Sequence, residues 1–146
     1  MRISAGVARA TMLALSLLAC ACAGPGTRSQ SLYDQLGGTA GLQALVDDLL
    51  ERFADDEQIA PVFANTNIAR FRSLFVEHLC DVVDGPCTYS GDDMQEVHRG
   101  LSIDEAQFNA VVEHLIDAMQ ARHIPRTAQN QLIARLAPMR KDIIYR

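Results

Sequence analysis

Residues 94–108, MQEVHRGLSIDEAQF, carry one histidine, His98, in a pattern typical of the apolar face of a short helix. Met94, Val97 and Leu101 share that face with His98 at spacings of three and four residues. A single histidine among apolar neighbours is more often a core residue than a metal ligand. This stretch alone therefore leaves both interpretations of His98 open.

Four longer segments around this stretch have the periodicity of amphipathic helices, and no alternation typical of strands extends over more than a few residues. The segments are 41–56, 67–83, 101–125 and 127–144. Ser102 and Glu105 have the spacing of a capping box, so the third helix is expected to begin near Ser102. Pro138 is expected to break the last helix after Leu136. The sequence predicts an all-α fold.

Composition limits the possible functions. The chain has 146 residues, enough for one domain, and 49% of them are hydrophobic, which is enough to bury a core. The net charge is −5 without any basic stripe, which excludes a nucleic-acid-binding protein. Phe63, Phe71, Phe75 and Phe108 fall at predicted inward positions. Both an ordinary core and a flat aromatic cofactor would use such a set of rings.

The N-terminal residues have the charged, apolar and small-residue order of a secretory signal, with an apolar run too short to span a membrane. The sequence LLAC resembles the bacterial lipobox, in which Cys20 would become the lipidated N-terminus. Ordinary cleavage after Ala21 or Ala23 is the alternative and would give a soluble periplasmic protein. Both interpretations predict export. The expected organisation is a signal peptide over 1–19, a flexible tether over 20–30 and a folded domain over 31–146.

Cys80 and Cys87 enclose the eight-residue stretch CDVVDGPC. In an oxidising compartment such a pair is more often a disulfide than a metal site, because neither a C-x-x-C motif nor a histidine at zinc spacing is present. Closing a loop of this size would stabilise the fold by roughly 2.5 kcal/mol. The sequence therefore predicts a Cys80–Cys87 disulfide, and Cys22 is left without a partner in the tether.

Four motifs follow one another along the chain: SLYDQLGG at 31–38, ADDEQIAPVF at 54–63, GPCTYSGDDMQEVH at 85–98 and GLSI at 100–103. Their order resembles that of the group I truncated haemoglobins, the two-on-two globins, and the resemblance extends to APMRKDI at 137–143. It implies a two-on-two helical sandwich around haem b.

The resemblance implies that His98 is the axial ligand of the haem iron. A neutral imidazole nitrogen is a good ligand for ferrous iron, and the other ring N–H should donate to a backbone carbonyl. Arg72 and Arg99 would bind the haem propionates. The other positions that match haem contacts of the family are Leu50, Phe63, Phe71, Phe75, Met94, Val97, Ile103, Phe108 and Val111.

The positions above the distal face of the haem depart from the family pattern. Members of the family often have a tyrosine on the second helix and a glutamine on the distal helix, where this chain has Leu50 and Phe75, with Phe71 one turn earlier. Losing a hydrogen-bond donor to a polarised ligand costs on the order of 1–3 kcal/mol of binding. We therefore expect an apolar distal pocket with fast oxygen release, or a site better suited to CO or NO. His78 is interpreted as a half-exposed helix residue.

These observations favour a globin that reversibly binds a diatomic gas, with no catalytic residue predicted, at the periplasmic face of a bacterial envelope. One alternative is an enzyme on the same haem that converts NO and oxygen into nitrate, which would need a stable oxygen complex. Another is a disulfide-stapled helical lipoprotein without a cofactor, in which His98 would be a core residue. The only membrane contact expected is through an N-terminal lipid anchor.

Overall fold

The computed structural model describes residues 30–146, and within that range all regular structure is helical. The predicted signal peptide, the lipidation site Cys20 and most of the tether lie outside the described residues. No helix in the described range is long and apolar enough to cross a membrane. The elements are α1 (Leu32–Gln35), α2 (Gly38–Asp55), a 3-10 helix (Ala60–Phe63), α3 (Ile68–Val82), α4 (Met94–Val97), α5 (Glu105–Ala121), α6 (Arg126–Leu136) and a second 3-10 helix (Ala137–Asp142).

Helix α2 lies at the centre of the helix packing. Helix α2 contacts both α3 and α5, and α6 packs against α1 and α3. The interfaces are filled by aliphatic side chains at the periodic positions, so the hydrophobic pattern of the sequence is what brings the helices together. The fully buried side chains include Leu42, Leu45, Val46, Leu49, Leu79, Met119 and Leu132.

Short polar side chains cap the N-termini of α3 and α4, the helices that carry residues of the predicted site. The side chain of Asn67 accepts a hydrogen bond from the Arg70 backbone N–H at the start of α3. Asp93 accepts one from the Glu96 N–H at the start of α4. Each bond satisfies an N–H that the first turn of a helix leaves free. These caps fix where α3 and α4 begin.

The predicted capping box at Ser102 and Glu105 is wrong by two residues. Asp104 accepts from the Gln107 N–H (2.8 Å), and the Gln107 side chain accepts from the Asp104 N–H (3.1 Å), so the box is Asp104–Gln107 and α5 begins at Glu105. Ser102 has a φ of +50°, outside the helical region. Its N–H donates to the carbonyl of Arg146 (3.0 Å), a contact that holds it in the preceding loop.

The chain ends in a tighter helix and an irregular segment. Helix α6 ends at Leu136, and Pro138 lies in the first turn of the following 3-10 helix, as the predicted break requires. Residues 142–146 then run alongside the loop that precedes α5, with the Tyr145 N–H donating to the Ile103 carbonyl (2.9 Å). This segment therefore lies beside the residues that follow His98.

A disulfide joins the end of α3 to the following loop. Cys80 and Cys87 are bonded with an S–S distance of 2.00 Å. Gly85 lies inside the loop, and a Cβ placed on it would be 2.6 Å from Cys80 Sγ and 2.7 Å from a ring carbon of Tyr33. Only glycine fits between these two side chains, and the loop therefore packs closely against the fold.

Candidate functional site

His98 lies directly after the four-residue helix α4, as its C-terminal capping residue. Its side chain is half-buried, and Nδ1 is 2.7 Å from the carbonyl oxygen of Met94. Because a carbonyl oxygen can only accept, Nδ1 carries the hydrogen and Nε2 of the neutral ring keeps its lone pair. The sequence predicted such a bond to a backbone carbonyl, and the structure identifies the carbonyl as that of Met94.

The surroundings of His98 favour the neutral imidazole. Burial lowers the pKa of His98 from its ordinary value of 6.5, and the hydrogen bond to Met94 opposes that effect only in part. A neutral ring with one free lone pair is the form in which histidine binds a metal. The protonation state and the hydrogen bond therefore both suit a metal ligand.

One wall near the predicted site is aromatic. Phe63 packs edge-on against Phe71 with ring centroids 5.0 Å apart, and Phe71 is 5.4 Å from Phe75 on the next turn of α3. Phe63 also stacks on the buried ring of Phe53 at 5.7 Å. Phe53 belongs to the core, whereas the rings of Phe63, Phe71 and Phe75 are half-buried and keep part of their surface exposed. Such rings offer flat apolar faces.

The remaining predicted haem contacts are apolar and incompletely buried. Val97 is 40% exposed, and Leu101 and Ile68 are each 42% exposed. The other predicted contacts are half-buried: Leu50, Met94, Ile103, Phe108 and Val111.

These features fit iron that is already held in a porphyrin. Within residues 30–146, no three His, Cys, Asp or Glu side chains lie together in a way that holds a metal ion. A single half-buried imidazole with apolar neighbours instead suits a metal whose other ligands come from a flat, apolar macrocycle. The described residues therefore fit haem, with His98 as an imidazole whose Nε2 is left free because its Nδ1–H donates to a backbone carbonyl.

The predicted propionate ligands already have partners on the protein. Arg72 forms a two-point ion pair with Asp47 of α2, with Nε 2.5 Å and Nη2 2.7 Å from the two carboxylate oxygens. The hydrogen bond from Arg72 lowers the pKa of Asp47. Arg99 pairs with Glu96 on the same turn. The structure thus shows Arg72 fixing α3 to α2, and its assignment to a propionate stays a prediction.

His78 is a partly exposed residue of α3, in agreement with its interpretation as a half-exposed helix residue. It is three residues after Phe75, is half-buried, and packs edge-on against Tyr89 at 5.0 Å. Burial lowers the pKa of His78; Asp81 opposes this, and the charge of His98 lowers it further. The spacing of Phe71, Phe75 and His78 on one helix could have indicated this position from the sequence.

Two side-chain contacts of this region of the fold were not predicted from the sequence. Gln95 donates to Asp142 (2.8 Å), which ties α4 to a segment 47 residues later, and no local pattern indicates such a contact. The Tyr33 hydroxyl accepts a hydrogen bond from the Thr39 N–H (2.9 Å) and holds the corner between α1 and α2.

Comparison with known proteins shows which family the chain resembles. Residues 31–145 match the family model described as bacterial-like globin. The chain is 33% identical over 114 residues to the group 1 truncated haemoglobin GlbN of Nostoc sp. (strain MUN 8820), covering 78% of this chain and 97% of that protein. It is also 33% identical over 113 residues to the corresponding protein of Mycolicibacterium paratuberculosis, covering 77% of this chain and 83% of that one.

The fold is similar to that of solved structures. The truncated haemoglobin of Tetrahymena pyriformis in its Fe(III) form superposes with a TM-score of 0.77 at 25% identity, covering 80% of this chain and all (100%) of that one. The 2/2 haemoglobin of Synechococcus sp. PCC 7002 superposes with a TM-score of 0.74 at 21% identity, over 79% of this chain and 98% of that one. The predicted two-on-two helical arrangement is confirmed.

Proposed function

This chain belongs to the bacterial-like globin family and its cofactor is haem, and from this premise we propose that it reversibly binds a diatomic gas at an iron held by His98. The hydrogen bond from His98 Nδ1 to the Met94 carbonyl (2.7 Å) carries this assignment. It fixes the tautomer that leaves Nε2 as the ligating atom and limits rotation of the ring. The cofactor-free alternative is not retained.

When bound, haem b would supply an iron that can bind oxygen, NO or CO, and His98 would hold that iron. The chain's own residues supply the surroundings. Phe63, Phe71 and Phe108 offer apolar faces that would bury the macrocycle and exclude water. Arg72 would reach a propionate only by sharing its guanidinium with Asp47, so we expect its contribution to haem binding to be small.

The distal side is proposed to be apolar. Leu50, Phe71 and Phe75 carry neither a hydrogen-bond donor nor an acceptor in their side chains. A bound gas that becomes polarised on iron would therefore lack the stabilisation of on the order of 1–3 kcal/mol that a donor supplies. We propose that oxygen leaves quickly and that NO or CO, which depend less on a donor, are held better.

We also propose that the protein is exported and lipid-anchored at Cys20. Support comes from the charged and apolar order of residues 1–19 and the LLAC sequence, all before the globin match begins at residue 31. The Cys80–Cys87 disulfide suits an oxidising compartment. Under this proposal the globin domain lies at the periplasmic face of a membrane, at the end of a short tether.

The first test compares visible spectra of the protein, made with haem available, with those of a His98→Ala variant. We expect a strong Soret band that weakens or shifts in the variant, because the iron loses its axial imidazole. The matched control is His123→Asn, which changes an exposed histidine whose φ of +55° asparagine tolerates. A His98→Ala spectrum identical to that of the unmodified protein would refute His98 as the ligand.

A further inference from the structure

Three hydrogen bonds connect residues 142–146, here called the strap, to the segment that carries His98. The Gln95 side chain donates to Asp142 (2.8 Å). The Ser102 N–H donates to the Arg146 carbonyl (3.0 Å), and the Tyr145 N–H donates to the Ile103 carbonyl (2.9 Å). One bond therefore precedes His98 in sequence and two follow it.

The segment around His98 has little structure of its own to hold it. Helix α4 is a single turn of four residues, far below the length at which an isolated helix is stable. After His98 there is no regular structure until Glu105, and Gly100, with a φ of +78°, has nothing within 4 Å of the position a Cβ would take. The direction of the imidazole therefore depends on contacts made with other parts of the fold.

The strap is itself held in a defined conformation. Ser102 and Tyr145 both adopt left-handed backbone angles, with φ of +50° and +57°, which side-chain-bearing residues rarely adopt. Each donates its N–H across the same junction, so the two bonds keep both residues in place. Upstream of the strap, Arg140 pairs with Glu105 (2.8 Å) and lies 5.7 Å from the centre of the Phe108 ring. The strap together with Arg140 thus connects the His98 segment to the start of α5.

We propose that Asp142 is a positioning residue for His98, acting through Gln95 and the strap. Asp142 holds α4, and α4 carries the Met94 carbonyl that orients the imidazole. Loosening this contact lets the ring tilt and the His98 segment move away from α5. This inference rests on the proposed role of His98 as the axial ligand and adds a residue 44 positions later in the chain.

The test uses two substitutions at one position. Asp142→Ala removes the acceptor for Gln95, whereas Asp142→Asn keeps an amide oxygen that can accept the same hydrogen bond. Asp117→Ala is the matched control, since Asp117 is an exposed acid that forms no hydrogen bond or ion pair within residues 30–146. The readouts are the iron–histidine stretching band of the ferrous protein by resonance Raman spectroscopy and the rate of haem transfer to an excess of apomyoglobin.

We expect Asp142→Ala to shift or broaden the iron–histidine band and to speed haem loss roughly two- to ten-fold, the factor that corresponds to one net hydrogen bond. Asp142→Asn and Asp117→Ala should match the unmodified protein. Gln95→Ala should reproduce the effect of Asp142→Ala, and the double variant should add nothing, because both changes remove the same bond.

The outcomes separate this inference from the proposed function. If His98→Ala abolishes the band while Asp142→Ala leaves band and haem loss unchanged, the ligand assignment holds and the positioning role is wrong. A lower unfolding midpoint with an unchanged band would also overturn it, since that is what a merely structural contact gives. If His98→Ala leaves the band unchanged, the assignment of His98 itself fails.

Discussion

The two faces of helix α3 differ in burial and in the type of side chain they carry. On one face Val76, Leu79 and Cys80 are buried and pack within the hydrophobic core. On the other, Phe71 and Phe75 remain half-buried, with His78 on the following turn. The first face is aliphatic and closely packed, and the second is aromatic and keeps part of its surface accessible.

This difference separates stability from function within one element. The buried face contributes through area removed from water and close packing, so its residues are sensitive to volume. The half-buried face has apolar surface that the protein alone does not cover. At its positions the polarity of the side chain should matter more than its volume. Substitutions on the two faces should therefore have different consequences.

The largest effect on folding is expected in the interior. Leu45 is fully buried, and Leu45→Ala should lower the free energy of unfolding by about 2–5 kcal/mol through lost burial and a residual cavity. Urea unfolding measures this, and the visible spectrum of the folded protein should stay unchanged. Val111→Ala on the half-buried side is the comparison and should cost less than about half as much. Equal losses at the two positions would contradict the distinction.

A smaller effect, on ligand binding, is expected from a polar group on the half-buried face. Phe75→Gln would place an amide donor on the proposed distal side, so oxygen should leave roughly 5 to 150 times more slowly, equivalent to about 1–3 kcal/mol. Stopped-flow measurement of oxygen dissociation tests this. Phe75→Leu controls for the loss of the ring and should leave release fast. If both variants release oxygen at the same rate, position 75 does not face the bound gas.

The smallest effect is expected at the edge of the interior, where His114 of α5 bonds Asp56 after α2 (2.7 Å). The hydrogen bond from His114 lowers the pKa of Asp56 below its ordinary 3.8. This contribution to stability is complete above pH 3.8 and is lost as the pH falls through the lower pKa of the folded protein.

Urea unfolding across the acid range measures this loss, and Asp56→Asn should flatten the decline below about pH 4 because the amide does not titrate. Asp117→Asn is the control and should leave the profile unchanged. An unaltered acid profile in Asp56→Asn would mean that the Asp56–His114 contact does not contribute to stability.

Much of the fold follows from local patterns in the sequence. The helices over residues 41–56 and 67–83 were predictable because their apolar positions recur at helical spacing, and such periodicity reports directly which face is buried. Pro138 marked the end of α6 for a similarly local reason, the missing N–H and fixed φ of proline. Cys80 and Cys87 are close enough in sequence for their pairing to be expected.

What the sequence does not predict depends on tertiary contacts. Asp104, and not the predicted Ser102, caps α5. Ser102 is held by a backbone hydrogen bond to Arg146, which no local pattern reveals. The Gln95–Asp142 bond spans 47 residues and forms only once α4 and the strap are adjacent. The motif order predicts His98 as the ligand, but only the coordinates identify the Met94 carbonyl as its hydrogen-bond partner.

The disulfide at the end of α3 also bears on the order in which the molecule assembles. Its cysteines are separated by 7 residues, so bringing them together costs little loop entropy and can precede the rest of the fold. The contact between Gln95 and Asp142 is of high contact order and must wait for the intervening helices. In oxidising surroundings we therefore expect the disulfide at the end of α3 to form early in folding. Docking of the strap is expected to be a late step, which completes the surroundings of His98.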